Sequence, residues 1–408
     1  MLLSVNTVVH LQVKVELAEV TINGLAEWAF GKREELTQML LAPVVRAAQE
    51  QWLDEVACSA TELVCTGCGV VHQGTGNWVR RGIRRRSVKT SSGEIELALV
   101  QVTCRDCGRT RTPCIEVLGL EPRQRATPEL TRKLVERVYD TSYHKSVRTA
   151  RACMGVSVSA STLHRLVQER AERVELTPNE QSEIILADGT PVRAGERLRK
   201  GERVEHEDLR LAFQLTGRSD EETRRPKAHL RLVGIGVGTK TWPEVLPGDE
   251  RTKLVVTDGE PALQPHVQTK YPRARHQLCE WHLPHTIDWP LRKDGVVVKE
   301  RRRLQDKLKS ILWGERPPAK SRELYEAFIA LLSFSPSTQY QLRQAAPYVL
   351  YDTPSEERTT SLIERQMREV DRRVLVGVRW SMRGVRNLML LSLARTHNPD
   401  DYGRAWSG

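Results

Sequence analysis

Two short apolar runs in this chain both lead into the dipeptide Asp-Gly. One is residues 183–187, followed by Asp188, and the other is residues 254–256, followed by Thr257 and Asp258. An apolar, β-branched run bounded by turn residues predicts a buried strand in a parallel or mixed sheet. We therefore expect each carboxylate at the carboxyl end of a strand, beside a glycine turn that a ligand can approach. Either Asp alone also has the simpler explanation of a turn residue before Gly.

The order of the neighbouring elements predicts how these strands are arranged. Further strand-like segments occupy residues 209–216, 230–237 and 274–278. A helix with Pro261 in its first turn is expected before the last of them. Three strands, a connector, a strand ending in Asp, a helix and a strand is the element order of an RNase H-like domain. In that fold the first and fourth strands are neighbours, so Asp188 and Asp258 are predicted to converge. The glycine-rich residues 234–240 lack the spacing of a phosphate-binding loop and predict a strand.

Two further features belong to the same predicted site. The last strand runs into Cys279-Glu-Trp-His282, and a Cys/His pair beside such a carboxylate is an arrangement that structure alone rarely requires. Farther along, Glu364 borders an apolar helical stripe. That stripe consists of Ile363, Met367, Val370 and Val374. Ser361 and Glu364 also fit a capping box, in which Glu satisfies an amide at the helix start. The sequence leaves both interpretations of Glu364 open.

Four of the eight cysteines form two Cys-x-x-Cys pairs, separated by 35 residues. They are Cys65, Cys68, Cys104 and Cys107. Two residues between thiolates let both bind one tetrahedral ion, and the Gly after each second Cys permits a positive φ. With strand-like sequence at residues 83–88 and 95–102 between them, the pairs predict a zinc ribbon. Four ligands leave no open position, so the zinc would be structural. Four reduced thiols without a metal are the alternative.

The formal net charge of +11 favours a polyanionic partner, most simply nucleic acid. An ordinary basic surface is the alternative. The arginines that we expect to contact DNA phosphates are Arg84, Arg85, Arg86, Arg301, Arg302 and Arg303. No apolar run approaches the roughly 20 residues of a membrane-spanning helix. The first residues lack the basic region of a signal peptide. We therefore expect a cytoplasmic protein without a membrane partner.

Residues 146–154 and 159–172 predict two helices about a turn at Gly155, after a helix that starts at Thr127. This pattern fits a helix-turn-helix, although an ordinary three-helix bundle explains it as well. Polar side chains of the second helix would meet a DNA groove. They are Thr162, His164, Arg165 and Gln168.

Residues 283–357 are helical and basic, and they interrupt the α/β pattern as an insertion. Trp313 within them either stacks on an unpaired base or is buried in a core. The chain is thus predicted to be a multidomain α/β protein with seven parts. These are an N-terminal helical region (1–60), a zinc ribbon (61–120), a helix-turn-helix (121–178), the first part of the RNase H-like core (179–282), an all-helical insertion (283–357), the second part of the core (358–396) and a tail (397–408).

The chain resembles the Mutator-like DDE transposases of bacterial insertion sequences. The match lies in ILADGT around Asp188, VVTDGEPAL around Asp258, CEWH at residues 279–282 and SLIERQMRE around Glu364, within roughly residues 120–390. In that group a helical insertion splits the RNase H-like domain between the second Asp and the Glu. A Cys/Asp-x-x-His motif follows the second Asp at about the interval seen here. The zinc ribbon resembles a subgroup of the ISLre or ISKra type.

The resemblance implies that Asp188, Asp258 and Glu364 hold two divalent ions, Mg²⁺ or Mn²⁺. One ion would activate water and later a DNA 3′-hydroxyl, and the other would stabilise the leaving oxygen. Cys279 and His282 would be an accessory motif, because soft thiolate is a poor Mg²⁺ ligand. The implied reaction is strand cleavage at terminal inverted repeats followed by strand transfer. The implied partners are double-stranded DNA at the element ends and target and a second copy of the chain, in association with the nucleoid.

Two other functions fit the same sequence. A zinc ribbon and a helix-turn-helix suffice for a non-catalytic DNA-binding protein, either a regulator or a decayed or domesticated transposase. A structure-specific nuclease on the same fold would cleave branched DNA without needing specific ends.

Overall fold

The computed structural model describes residues 8–10, 21–58, 61–72, 74, 76–120, 124–194, 207–219, 227–238, 241–349, 357–375 and 380–407. Within them the chain is a mixed α/β protein. It divides into two compact units, Met1–Leu166 and Val167–Gly408. These are called the first and second units below.

The first unit contains five helices and five strands among the described residues. The helices are α1 (Ile22–Gly31), α2 (Arg33–Ala57), α3 (Cys114–Val117), α4 (Pro128–Asp140) and α5 (Tyr143–Met154). The strands are β1 (Leu63–Val64), β2 (Val71–His72), β3 (Trp78–Thr90), β4 (Gly93–Cys104) and β5 (Thr110–Arg111). Helix α6 (Ala160–Ala171) spans the division between the units.

Strands β3 and β4 form a long antiparallel hairpin, with β5 on the other side of β4. Both strands are longer than predicted, because they pair along their whole lengths from Trp78↔Cys104 to Thr90↔Gly93. From Gly93 to Leu99 alternate residues of β4 are buried, and Leu97 and Leu99 pack in a core with Val88 of β3. Farther along the strand, Val100 and Val102 lie in a second core with Trp52 of α2. The second cysteine pair begins at the open end of the hairpin, where Cys104 pairs with Trp78.

The second unit is built around strands β6 (Ile184–Val192), β7 (Glu207–Ser219), β8 (Lys227–Val237), β9 (Leu254–Thr257) and β10 (Arg275–Leu278). Its helices are α7 (Trp242–Val245), α8 (Gln264–Lys270), α9 (His282–Thr286), α10 (Asp288–Lys293), α11 (Val298–Trp313), α12 (Pro318–Leu331), α13 (Pro336–Ala345), α14 (Ser361–Val374), α15 (Met382–His397) and α16 (Pro399–Arg404). A short 3-10 helix, Ala346–Tyr348, follows α13.

The five strands form one sheet in the order β10-β9-β6-β7-β8. Strand β6 runs parallel to β9 and antiparallel to β7. The register Ala187↔Thr257 sets Asp188 beside Asp258. The prediction that the first strand stops at Asp188 is wrong, because β6 continues to Val192 through pairing with β7. The second strand does end just before its Asp.

The helix after β9 starts later than predicted. Pro261 lies in a turn, and α8 begins at Gln264 with Pro265 among its first residues. The reason is the intervening Asp258-Gly-Glu260 turn, in which Gly259 has a φ of 92°. Pro265 therefore takes the N-terminal role that was expected of Pro261.

Helices cover the sheet, and a separate helical core follows it along the chain. Helix α14 packs against β6, whereas α15 and α7 pack against β8. Residues 283–357, the predicted insertion, contain helices α10 to α13 and most of α9. Their buried side chains form a core that includes Leu291, Leu308 and Phe328.

Candidate functional site

Asp188 on β6 lies beside Asp258, which directly follows the adjacent parallel strand β9. The Asp188 side chain is buried, and its Oδ1 accepts the backbone N–H of Gly189 at 2.8 Å. Burial and the neighbouring charge of Asp258 raise the pKa of Asp188 to about 7. Burial also raises the pKa of Asp258. Two carboxylates held together away from water disfavour each other's charge, and a cation between them relieves that cost.

Glu364 comes to the same place from α14. The capping-box interpretation is wrong, because Thr360 is the N-cap, Ser361 is already helical and no side chain caps the helix. Glu364 Oε1 instead lies 3.8 Å from His282 Nε2. That oxygen is buried and accepts no hydrogen bond among the residues that the structure describes. A buried carboxylate oxygen without a donor is suited to a cation.

His282 lies among all three acidic residues. Burial alone would lower the pKa of its imidazole. The neighbouring Cys279 sulfur and the carboxylates of Asp188 and Asp258 outweigh burial and raise this pKa to about 9. This shift favours the protonated, positively charged imidazole.

The Cys-x-x-His pair holds the start of α14. The backbone N–H of Thr360 donates to Cys279 Sγ at 3.3 Å, and the Thr360 hydroxyl lies 3.3 Å from His282 Nδ1. Cys279 and Thr360 are both completely buried. Both residues of the motif therefore contact the N-cap of the helix that carries Glu364. The accessory role predicted for Cys279 and His282 stays a prediction.

The two residues between Cys279 and His282 also make long-range contacts. Glu280 is buried and forms a two-pronged ion pair with Arg358, at 2.9 and 2.8 Å. Trp281 stacks on Trp313, with ring centroids 5.5 Å apart and planes at 4°. Trp313 is 42% exposed, so its interpretation as a buried core residue is wrong. Trp281 is 40% exposed, so the indole pair presents a partly exposed aromatic surface on the residue before His282.

The acidic set is more open than a preformed metal cage. In the described part of the chain, two sets of three or more potential ligands have all their ligand atoms within 4.8 Å of one another. One set is the four cysteines, and the other is His72, Cys104 and Asp106. Asp188, Asp258 and Glu364 are not among these sets. Their oxygen donors suit Mg²⁺ in kind, but an ion would have to draw them closer together.

The four cysteines of the first unit can hold a structural zinc ion. Their Sγ atoms lie 3.6 Å apart for Cys65 and Cys107 and 3.7 Å apart for Cys68 and Cys104. Tetrahedral ligands at a Zn–S distance of about 2.3 Å would lie about 3.8 Å apart. Backbone N–H groups of Cys68 and Gly67 lower the pKa of Cys65 to about 6, and this favours the metal-binding thiolate at that residue. Burial raises the pKa of Cys104. The Val70 N–H lowers the pKa of Cys68, but burial together with the neighbouring thiols outweighs it and raises that pKa.

Both cysteine turns have the predicted glycine geometry. Gly69 and Gly108 have φ values of 73° and 70°. Each donates its N–H to the carbonyl of the first Cys in its pair, at 2.9 and 3.0 Å. A side chain at either position would be strained. The two turns are thus near copies of each other.

The three arginines predicted to contact DNA from β3 differ in their exposure and in their side-chain partners. Arg84 is exposed, and Arg85 is exposed but pairs with Glu96 across the hairpin at 3.1 Å. Arg86 is half-buried and donates to the Gln124 carbonyl. The side chain of Arg86 is therefore partly engaged within the first unit, unlike a freely solvated phosphate contact.

The predicted recognition-helix residues also divide. His164 and Arg165 are exposed on α6. Thr162 is half-buried and joins the hydroxyl of Ser159 at the start of the helix. Gln168 is half-buried, and its Oε1 accepts from Asn387 Nδ2 at 2.7 Å. The prediction that all four point outward is wrong for Thr162 and Gln168, because local capping and packing against α15 engage them.

Arg301 is likewise engaged by neighbouring helices. Its Nε pairs with Asp288 at 2.9 Å and it donates to the Val296 carbonyl at 2.9 Å. Arg302 and Arg303 are exposed. The expected backbone-tracking surface on α11 is therefore limited to the latter two.

Sequence reasoning missed the residues that support the acidic site. Arg210 is completely buried in β7 and pairs with Glu260, two residues beyond Asp258. Thr360 donates to the Cys279 side chain, and Arg358 donates to the Glu280 side chain. Only Arg210 had a local signal, namely a charge inside the apolar strand LRLAFQL.

Among the helices that the structure describes, none is long and apolar enough to cross a membrane. Comparison with protein-family models found no matching family, and comparison with curated proteins found no match.

Proposed function

We propose that this protein is a DDE-type DNA transposase that cleaves and joins the ends of an insertion sequence. The observation that carries the proposal is the convergence of Asp188, Asp258 and Glu364 on His282. Asp188 lies on the central strand β6, Asp258 lies in the turn after its parallel neighbour β9, and Glu364 lies on the later helix α14. Three carboxylates from distant parts of the chain are rarely needed for folding alone, and one of them has a buried oxygen with no donor among the described residues.

An RNase H-like domain is part of this proposal. Counted along the chain, the strands of the sheet have the order 5-4-1-2-3, with the first and fourth parallel and adjacent. That order supports the domain assignment, as does the helical region between β10 and α14. On this assignment the second unit is the catalytic one.

Asp188, Asp258 and Glu364 would hold two Mg²⁺ or Mn²⁺ ions. When bound, such ions supply activation of a water or a 3′-hydroxyl and stabilisation of the leaving oxygen. Cys279 and His282 hold the N-cap residue Thr360 and thereby orient α14 and its Glu364. A protonated His282 would offer a positive charge to these carboxylates.

The remaining proposed contacts are with DNA. Exposed arginines on β3 and α11, together with His164 and Arg165, would contact phosphates or base edges. The Trp281–Trp313 pair would stack on an unpaired base beside the acidic site. The structural zinc would keep the β3–β4 hairpin rigid, and a second copy of the chain would hold the other DNA end.

The test is cleavage of a duplex that carries the inverted repeats flanking the gene. With Mg²⁺, we expect the wild type to nick at the repeat ends. Asp188→Asn, Asp258→Asn and Glu364→Gln should each lower the cleavage rate by more than about 100-fold. Even the loss of a residue that only supports a metal ligand lowers metal affinity or activity about 10- to 100-fold. Glu369→Gln on an exposed part of α14 should cleave normally.

Two results would contradict the proposal. Unchanged cleavage in the three variants would show that these carboxylates do not catalyse. Specific binding of the repeats with no cleavage by the wild type would favour a non-catalytic DNA-binding protein.

A further inference from the structure

Arg210 is a buried cation within the five-stranded sheet. It pairs in register with Gly189 of β6 on one side and Gly236 of β8 on the other, and its exposure is 0%. Burying a charge is costly unless it is paired and hydrogen-bonded. Its guanidinium donates to Glu260 Oε1 at 2.6 Å and lies over the Trp242 ring, 5.0 Å from the centroid.

The Glu260 carboxylate is held at both oxygens. Arg210 binds Oε1, and Trp242 Nε1 donates to Oε2 at 2.8 Å. Because each oxygen already has a donor, Glu260 has less to offer a metal ion than Asp258 two residues earlier. The two acidic residues of the Asp-Gly-Glu turn therefore have different surroundings.

The turn links the position of Glu260 to that of Asp258. The backbone N–H of Glu260 donates to Asp258 Oδ1 at 3.1 Å. Gly259 between them has a φ of 92°, a conformation that disfavours side chains. When the Glu260 side chain is fixed, its amide is fixed as well, and that amide orients the Asp258 carboxylate.

The glycine-rich strand β8 makes this network possible. A Cβ on Gly234 would lie 1.7 Å from the Val245 carbonyl oxygen, and one on Gly236 would lie 2.7 Å from the Thr241 side chain. These glycines let α7 lie close against the sheet, with Trp242 fully buried beside Arg210. The glycine pattern of β8 thus has a packing role.

We propose that Arg210, Glu260 and Trp242 form a positioning triad that sets the direction of the Asp258 carboxylate. In this arrangement Glu260 supports the acidic site and is not one of its ligands. The importance of this positioning for catalysis rests on the proposed function. The effect of the triad on the orientation of the turn does not depend on it.

Hydrogen exchange tests the orientation without any activity. Glu260→Gln replaces one acceptor by a donor, and Trp242→Phe removes the indole N–H while keeping a buried ring. We expect amide exchange in residues 257–263 to accelerate by about tenfold or more in both variants. The matched control is Glu183→Gln, which breaks the exposed Lys253–Glu183 pair, 2.8 Å long, at the start of β6. In this control, the amides of residues 257–263 should exchange as in the wild type.

Mn²⁺ binding to the full chain, measured by calorimetry, tests the consequence. We expect Asp258→Ala to abolish binding at the acidic site and the two triad variants to weaken it about 10- to 100-fold. Arg210→Lys, which retains the positive charge and a donor group, should weaken Mn²⁺ binding less than Arg210→Met. Circular dichroism of each variant verifies folding.

Three outcomes decide between the possibilities. Unchanged exchange of the turn in both triad variants would overturn the inference. Exchange that accelerates equally across the sheet would also overturn it, because the residues would then serve general stability. If the wild type shows no Mn²⁺ binding that depends on Asp258, the proposed function fails, and exchange of the turn alone decides the positioning role.

Discussion

The Thr190 hydroxyl donates a hydrogen bond of 2.8 Å to Asp371 Oδ1. Thr190 lies two residues after Asp188 on the same face of β6, and Asp371 lies two helical turns after Glu364 on α14. The bond therefore joins the strand and the helix that carry two of the three acidic residues. Together with Thr360 at the other end, it fixes α14 against the sheet at two points.

Thr190→Val should separate this positioning effect from stability. The near-isosteric change removes one hydrogen bond from a buried hydroxyl, so we expect a loss of about 1 kcal/mol in the free energy of unfolding. Cleavage should fall several-fold, because Glu364 is less firmly placed. The control is Thr216→Val, which removes the bond from Thr216 to the His229 carbonyl at 3.1 Å in the same sheet. If both variants lose cleavage equally, the Thr190–Asp371 bond has no special role.

Zinc content tests the cysteine cluster of the first unit. We expect about one zinc ion per chain by elemental analysis, held by four thiolates. Cys65→Ser should release it and expose the β3–β4 hairpin to proteolysis, since structural zinc contributes directly to folding. Cys58→Ser changes an exposed cysteine outside the cluster and should keep the zinc. A wild-type protein without zinc would leave the four residues as reduced thiols.

The predictable part of the site is the part that local pattern controls. Apolar runs ending in Asp-Gly identified Asp188 and Asp258, and Cys-x-x-Cys spacing identified the cysteine turns. In each case a few neighbouring residues determine the geometry. The exact end of β6 was missed because pairing with β7, at register positions such as Thr190↔Leu209, outweighs the turn preference of Gly189.

The unpredicted part depends on partners far away in the chain. Thr360 contacts Cys279, 81 residues earlier, and Arg210 contacts Glu260, 50 residues later. Helical periodicity reports which face a residue occupies but not which side chain meets it. For that reason the sequence supported a capping box and an acidic site equally well for Glu364, whereas the structure excludes the capping box.

Trp313→Ala tests the aromatic surface beside the acidic residues. Base stacking on an aromatic side chain contributes about 1 to 3 kcal/mol, so affinity for a single-stranded oligonucleotide should fall about 5-fold or more. Trp313→Phe keeps a stacking face and should lose less. Trp289→Ala removes a tryptophan of the same helical region that is 68% exposed and lies near Lys293. Equal losses for Trp313→Ala and Trp289→Ala, measured by fluorescence anisotropy, would argue against a specific stacking site.

Asp401 makes the stability of the second unit depend on acid pH. Its buried carboxylate accepts from Asn398 and the backbone of Thr177 and pairs with Arg231 at 2.9 Å. Burial alone would raise the pKa of Asp401, but these donors lower it below the ordinary 3.8. As pH falls, the unfolded chain therefore binds the proton first, so the stabilisation is complete above about pH 4 and is lost below it.

Asp401→Asn tests this carboxylate. The variant should lose about 2 to 3 kcal/mol of unfolding free energy in urea at pH 7, and its unfolding free energy should fall less steeply in acid than that of the wild type. The control is Asp400→Asn, at the exposed neighbouring residue, which should behave as the wild type. If the unfolding free energy of Asp401→Asn fell as steeply in acid as that of the wild type, Asp401 would not be the cause of the acid sensitivity.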